Sequence, residues 1–141
     1  MKKINFCSIG ECMIEIANTK NNHFIQSFAG DTLNFSAYLD KKKIKVDYLT
    51  SIGKSKINKN LFDIFRLKKI SPKLVNIHKD KESGLYLIKN YKNGEKKFYY
   101  WRDNSAAKDY LNNLNYNKLI FKFTKYDYIY FSGITLALFS K

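Results

Sequence analysis

Arginine is scarce in this chain, although the chain is strongly basic. Of its 26 lysine and arginine residues only Arg66 and Arg102 are arginines, and the formal net charge is +14. Bases and phosphates are recognised best by the bidentate arginine fork, so lysines scattered from Lys2 to Lys141 give weak support for nucleic-acid recognition. We expect a lysine-rich surface on an ordinary fold. A nucleic-acid-binding module that uses lysines and exposed tyrosines is the least favoured alternative.

Metal-ligand and membrane-spanning patterns are also missing. The two cysteines, Cys7 and Cys12, form no CxxC pair or other metal-ligand spacing, which predicts free thiols in a reducing compartment. No apolar run approaches the roughly 20 residues that a membrane helix needs. Glu11 and Glu15 interrupt any signal-peptide-like core. We therefore expect a cytoplasmic protein with no metal site and no membrane partner.

Strand-like and helix-like segments alternate along the 141 residues, which predicts one α/β domain. Short apolar or β-branched runs predict strands at Ile4–Ile9, Met13–Ala17, Phe24–Phe28, Val46–Ser51 and Tyr126–Ile134. Periodic segments predict helices at Thr32–Lys43, Ser55–Lys69, Leu111–Leu119 and Thr135–Lys141. A polar turn at residues 18–22 separates the second and third strands, and Ser71–Pro72 ends the second helix.

A hairpin is predicted within Gly84–Asp103, because two strand-like runs flank Asn93–Gly94, the strongest short hairpin pattern. Two registers are open. A two-residue loop would pair Tyr86 with Trp101 and place Tyr86 and Tyr100 on opposite faces. A three-residue loop with a bulge at the glycine would pair Tyr86 with Tyr100 on one face. A joint role of the two tyrosines in a binding site requires the second register.

The predicted central sheet is small. It contains only about three core strands, and the last of them runs into the apolar segment TLALF without a closing element. The chain is therefore either a small complete domain or half of a larger one. We favour the second interpretation. An unfinished sheet would present a bare edge and an apolar face, which predicts low solubility and self-association.

The segment SFAGDTLNFSAYL, residues 27–39, admits three interpretations of Asp31. It is a catalytic base beside a phosphate-binding loop, a sugar-binding group, or the N-cap of a helix. As a cap, its carboxylate would accept a hydrogen bond from the N–H of Leu33 or Asn34. Capping and sugar binding can coexist, since one oxygen is free for each role.

Several segments, in order, resemble the 2-keto-3-deoxygluconate kinases of the ribokinase-like, PfkB-type sugar kinases. They are IGECMIE (9–15), FAGDTLN (28–34), GLYL (84–87) with FYYWR (98–102), and YFSGI (130–134). The resemblance spans essentially the whole chain, but such kinases are about twice its length. It implies a ribokinase-like three-layer α/β/α fold with a small β-sheet lid, of which residues 1–141 form the N-terminal half. The lid segments would be about 13–28 and 84–103, and this lid often mediates dimerisation.

The resemblance also implies a binding site for a sugar-acid substrate. Its implied residues are Gly30, Asp31, Asn34, Tyr86, Tyr100, Arg102, Ile134 and Glu15. The position of Asp31, about thirty residues into the chain, matches the sugar loop of the family and not its catalytic loop. Two positions depart from the family: Ser55 replaces an aspartate, which weakens a loop contact, and Ala29 replaces a glycine, which is tolerable unless a positive φ is needed.

Arg102 carries the strongest physical argument for this site. A keto acid is an anion, and a carboxylate is bound best by a guanidinium fork, here in a chain that otherwise uses lysine. The alternative is a surface arginine at a strand end. For the two tyrosines the alternative is cross-strand packing, and for Glu11 and Glu15 it is surface charge.

Phosphoryl transfer needs parts that the sequence does not show. The resemblance implies an ATP-dependent kinase that uses ATP and Mg²⁺, with its base and anion hole in a C-terminal half around a Gly-Ala-Gly-Asp motif. This chain has no second such motif and no GxxxxGKS loop. We expect no catalytic base here, weak sugar binding and no phosphate transfer by the chain alone. A separate C-terminal half would restore activity. The alternative is a non-catalytic remnant whose lid forms a homodimer.

Overall fold

The computed structural model describes residues 2–19 and 23–139. Its strands are β1 Ile4–Ile9, β2 Met13–Asn18, β3 Phe24–Ala29, β4 Ile44–Gly53, β5 Ile70–His78, β6 Leu85–Asn90, β7 Lys96–Trp101 and β8 Tyr128–Tyr130. Its helices are α1 Asp31–Tyr38, α2 Lys59–Leu67 after a 3₁₀ turn at Lys56–Asn58, α3 Ala106–Asn112, α4 Tyr116–Phe123 and α5 Gly133–Leu136.

A central sheet of four parallel strands has the order β5-β4-β1-β8. One face packs on α1 and α2 through a cluster that includes Phe6, Leu33, Val46, Tyr48, Ile52, Leu61 and Phe65. The other face packs on α3, α4 and the C-terminal segment through Cys7, Ile9, Leu49, Leu111, Leu119 and Leu138. Both faces of a parallel sheet are buried in this way in three-layer α/β folds.

The central strand β4 was predictable from the sequence because nearly all of it is buried. β4 is buried continuously from Val46 to Gly53. Tyr48 of β4 is fully buried, and its hydroxyl lies 2.6 Å from the Thr32 hydroxyl at the start of α1. On α2, Leu61 and Phe65 are spaced four residues apart, so one helical face carries both side chains into the core.

A small sheet with the order β3-β2-β6-β7 stands beside the central one. β2 pairs antiparallel with β3 and parallel with β6, and β6 forms the predicted hairpin with β7. The register pairs Tyr86 with Tyr100. The Tyr91 N–H donates to the Glu95 carbonyl at 2.9 Å, and Gly94 has a φ of 88°. The three-residue loop with a bulged glycine is therefore confirmed, and the two-residue loop is wrong.

The central sheet has four described strands where the sequence predicts about three. The additional strand is β5, which contains Pro72 and was predicted as a helix end. β5 lies at the edge of the sheet, where a residue without an N–H is tolerated. Its pairing with β4 shifts register between Asp47 and Leu49, opposite the segment that contains this proline. Lys73, the next residue, forms an ion pair of 2.5 Å with the buried carboxylate of Asp47.

Several further element predictions are wrong in their bounds, and the last predicted helix, Thr135–Lys141, is the single turn α5, Gly133–Leu136. The single helix predicted at Leu111–Leu119 is two helices, α3 and α4, whose N-caps are the Ser105 and Asn115 side chains. The first predicted helix ends at Tyr38. The last strand ends at Tyr130, because Ser132 caps α5 two residues later. Residues 20–22 of the predicted turn and residues 140–141 of the predicted last helix lie outside the described residues.

Candidate functional site

The four connections between the small sheet and the rest of the protein meet at one junction. Glu11 precedes β2, Gly30 follows β3, Gly84 precedes β6 and Arg102 follows β7. A Cβ atom at Gly30 would lie 2.4 Å from the Glu11 carbonyl oxygen, and one at Gly84 would lie 2.6 Å from Glu11 Oε1. Arg102 Nη2 lies 2.6 Å from Glu11 Oε2. Glycines are required here by close approach, and Glu11 is the residue that all three others contact.

The junction surrounds a small cavity of about 70 Å³. Its lining residues are Glu11, Met13, Gly30, Asp31, Tyr100, Arg102, Ile134 and Thr135. A wider cavity of about 360 Å³ adjoins it and shares Arg102 and Ile134 with it. The wider cavity is lined in addition by Asp103, Lys108, Ala137 and Leu138. Together they form a recess with mixed charge and apolar walls, which is the usual composition of a small-molecule site.

The small sheet presents one row of polar and aromatic side chains next to this recess. One row of register partners crosses all four strands, so the side chains in it share a face of the sheet. The row contains Ser27, Glu15, Tyr86 and Tyr100. The Tyr86 hydroxyl donates to Glu15 Oε2, and the Ser27 hydroxyl donates to Glu15 Oε1 at 2.8 Å. The rings of Tyr86 and Tyr100 stack with centroids 5.8 Å apart. Tyr86 is thereby fixed as a support for the half-exposed Tyr100.

Burial raises the pKa of two acidic groups in the site, Tyr86 and Glu11. It raises the pKa of the Tyr86 phenol, and the hydrogen bond to Glu15 raises it further, so the phenol remains a donor. Burial also raises the pKa of the Glu11 carboxyl above its ordinary value. This rise in the pKa of Glu11 is opposed by Ser105, Arg102 and Lys108, because each of them favours the charged carboxylate.

Asp31 is not the N-cap that the sequence suggests. Gly30 is the N-cap, and its carbonyl oxygen accepts from the Asn34 N–H at 2.8 Å. Asp31 is the first helical residue, and its Oδ1 accepts from the neighbouring Thr32 N–H at 2.7 Å. The helix begins one residue earlier than a capping aspartate would require. Asp31 lines the cavity at the N-terminal, positive end of α1, and this end of the helix dipole stabilises the negative charge of the Asp31 carboxylate.

The structure brings five of the eight predicted site residues to the cavity wall. These are Gly30, Asp31, Tyr100, Arg102 and Ile134. Tyr86 and Glu15 lie behind Tyr100 in the same row of the small sheet. Asn34 lies exposed on the first turn of α1 and is not one of the cavity's described lining residues.

Three site residues were missed by sequence reasoning. Glu11 was assigned to the surface as an alternative but is only 4% exposed. Thr135 is buried, and its hydroxyl donates to the Ile9 carbonyl at 3.1 Å. Lys108 lines the wider cavity. The sequence contained a partial indication for Glu11. This residue lies within the apolar run IGECM, where an acidic side chain is expected to be buried and then needs a cation as its partner.

The two departures from the family pattern have different outcomes. Ala29 ends β3 without a positive φ, so alanine fits there. Ser55 donates its hydroxyl proton to Glu82 Oε2 at 2.8 Å, and Asn58 donates to the same oxygen at 3.1 Å. The serine therefore makes a local loop contact of its own, and its weakness relative to an aspartate stays a prediction.

Three further findings concern metal ligands, membrane spans and the cysteines. No group of three or more metal-ligating side chains occurs among the described residues. Within that same part of the chain, no helix is both long and apolar enough to span a bilayer. Cys7 and Cys12 are buried free thiols, as predicted, and burial raises the pKa of Cys7 to about 12.

Comparison with known proteins agrees with this architecture. The chain is 37% identical to the 2-dehydro-3-deoxygluconokinase of Haemophilus influenzae over 100% of its own length and 46% of that protein. It is 35% identical to the enzyme of the same name from Escherichia coli K12, covering 94% of this chain and 44% of that one. The chain thus spans less than half the length of the curated relatives it matches.

Solved structures show the same fold. The 2-dehydro-3-deoxygluconokinase of Thermotoga maritima superposes with a TM-score of 0.81 over 97% of this chain and 43% of that one, at 16% identity. A PfkB family carbohydrate kinase from Listeria grayi gives a TM-score of 0.80 over 95% and 43%, also at 16% identity. The fold is the ribokinase-like α/β fold. Since the model of the pfkB family carbohydrate kinases matches residues 3–141, the chain belongs to that family.

Proposed function

We propose that the junction binds a 2-keto-3-deoxy sugar acid, of which 2-dehydro-3-deoxygluconate is the first candidate. The observation that carries the proposal is the placement of Arg102. It is partly buried, and it lies in the wall of both cavities beside Asp31, Gly30 and Tyr100. A guanidinium has five N–H donors, so Arg102 can contact Glu11 and still bind a substrate carboxylate.

The remaining residues fit the other groups of such a ligand. The carboxylate of Asp31 accepts from sugar hydroxyls, and the half-exposed Tyr100 offers its phenol. Ile134 provides an apolar contact for the deoxygenated carbon. Asn34 is exposed on the first turn of α1, outside the cavity wall, and would contact the ligand only from beyond that wall. Glu15 and Tyr86 act by holding Tyr100 in place. The small sheet, residues of about 13–28 and 84–103, serves as the lid over this ligand.

Phosphate transfer, in our proposal, requires more polypeptide than this chain. ATP and Mg²⁺ would supply the phosphoryl group and neutralise its charge, and their residues and the base would come from a C-terminal half. That half would dock on the exposed apolar surface around β8 and α5, where Ile129, Phe131 and Leu136 are 41%, 50% and 54% exposed. In the cytoplasm, the chain alone would bind substrate and transfer no phosphate.

The small sheet also offers a surface for a homodimer. The face that bears the site continues into a second row of side chains. In that row Ala17 pairs with Ile25 and with Ile88, and Ile88 pairs with Phe98. Ile25 and Phe98 are 57% and 44% exposed. A face of this kind, bordering the site row, is suited to pack against its copy, and a non-catalytic dimer is the alternative role that it supports.

Calorimetric titration of the purified chain with 2-dehydro-3-deoxygluconate tests the proposal. We expect saturable binding with a Kd on the order of 1 mM, worth about 4 kcal/mol, because half of the ligand's contacts are present. D-fructose, a neutral ketose, is the matched control ligand and should bind at least several-fold more weakly. Addition of ATP and Mg²⁺ should release no ADP. Absence of saturable binding contradicts the sugar-acid site, and rapid ADP release contradicts the need for a second half.

A further inference from the structure

We propose that Glu11 is the positioning residue for Arg102, fixing the guanidinium in the direction of the ligand carboxylate and tying it to the connections of the small sheet. The inference deepens the proposed function and rests on it. Glu11 itself does not touch the ligand in this proposal. It acts through Arg102, and no motif singled out in the sequence assigns it such a role.

Burial of both partners distinguishes this pair from the ion pair of the other arginine. The Glu11 side chain is 2% exposed and that of Arg102 is 22% exposed, with 2.6 Å between Oε2 and Nη2. Arg66, the only other arginine, pairs with Asp63 at 2.8 Å, but these side chains are 82% and 64% exposed. A buried ion pair restrains its partners, whereas an exposed pair contributes little.

Glu11 depends on Arg102 as its compensating charge. Both carboxylate oxygens of Glu11 are buried, and neither has a well-aligned hydrogen-bond donor among the described residues. Arg102 is the cation in direct contact with this carboxylate, and a buried carboxylate without such a partner is costly. A guanidinium has five N–H donors, so the contact with one oxygen of Glu11 leaves further N–H groups of Arg102 available to a third group.

Glu11 also packs between two glycines that border the small sheet, one after β3 and one before β6. Its carbonyl oxygen abuts Gly30, and its Oε1 abuts Gly84, with room for no side-chain carbon at either position. Glu11 is therefore packed directly against the connections of β3 and β6. The guanidinium that it holds is placed relative to both sheets at once, which is the arrangement needed to orient a ligand between them.

Arginine side-chain NMR tests this inference directly, because the chain contains only two arginines. In the wild-type chain without ligand, we expect the Nη protons of Arg102 to be resolved by slow rotation about the Cζ–N bonds, while those of Arg66 average. Arg66→Lys assigns the two sets of signals. If the Arg102 signals average as fast as those of Arg66, the inference is overturned, and this result requires no substitution within the site.

Glu11→Gln supplies the second test. We expect the Arg102 signals to broaden toward those of Arg66 and the affinity for 2-dehydro-3-deoxygluconate to fall about 10- to 100-fold, with the weak affinity for D-fructose unchanged. Glu11→Asp should recover part of the loss. A variant that folds and binds the acid as tightly as wild type, or more tightly, overturns the inference. A wild-type chain that holds Arg102 rigidly but binds no sugar acid contradicts only the proposed function.

Discussion

Replacing Arg102 by methionine is expected to lower the free energy of unfolding by about 3–5 kcal/mol. The variant keeps the aliphatic bulk of the side chain but removes the charge 2.6 Å from Glu11 Oε2. The carboxylate of Glu11, 2% exposed at the side chain, is then left buried without its cation. Chemical denaturation of the wild type and the variant at pH 7 measures the difference.

Two matched variants identify the cause of that loss. Arg66→Met removes an arginine whose side chain is 82% exposed and should change stability by less than about 0.5 kcal/mol. Glu11→Gln combined with Arg102→Met removes both charges and should recover more than half of the loss. A single variant at Arg102 that is as stable as wild type would show that the buried ion pair does not exist in solution.

The pH dependence of the Arg102→Met variant follows from the direction of the Glu11 shift. Burial raises the pKa of Glu11 in the folded chain, and removal of Arg102 takes away one of the effects that lower it. A group whose pKa is raised in the folded chain contributes to stability at pH values below its unfolded pKa. That contribution to the free energy of unfolding is lost as the pH rises through the folded pKa. The variant should therefore approach wild-type stability as pH falls below the ordinary glutamate pKa.

Gly30→Ala is the second substitution with a large expected effect, about 3 kcal/mol of lost stability. The Cβ atom would lie 2.4 Å from the Glu11 carbonyl oxygen, and that backbone atom has no rotamer by which to move away. Relief requires the β3–α1 connection to separate from Glu11, which would also displace Asp31 and widen the cavity. Denaturation should show the loss of stability, and the sugar-acid titration should show weakened binding.

Gly133→Ala is the matched control for that experiment. Gly133 opens α5 close to the same recess, but a Cβ atom there would meet nothing within 4 Å. Alanine also restricts the unfolded chain, so this variant should be as stable as wild type or slightly more stable. Equal effects of the two substitutions would contradict the close approach of Gly30 to Glu11.

Local chemistry made much of the fold predictable. The bounds of β1 follow directly from an apolar run that ends at a glycine, and the hairpin follows from Asn93–Gly94 once a three-residue loop is allowed. β5 escaped prediction because its proline is acceptable only at a sheet edge, and edge position is a property of the assembled sheet. The helix pair α3 and α4 was merged because the cap at Asn115 interrupts an otherwise periodic segment.

Most of the site was predicted from the family resemblance, and side-chain chemistry added an independent argument for only a few residues. Arg102 stood out as a rare guanidinium, and Asp31 and Gly30 stood out as parts of a loop that precedes a helix. Glu11 could not be assigned in the same way. Its position matters because the other three connections converge on it, and long-range contacts of that kind are absent from a one-dimensional pattern.

The measurement that tests the central claim most directly is an NMR titration of the labelled chain with 2-dehydro-3-deoxygluconate, read out residue by residue. The proposed site predicts the largest shifts at Gly30, Asp31 and Arg102, with the Arg66 side chain unchanged. An anion attracted only by lysines would instead perturb the separate cavity of about 320 Å³ that contains Lys73, Lys118 and Lys122. Shifts confined to that cavity, or spread over the lysine surface, would contradict a sugar-acid site at the junction.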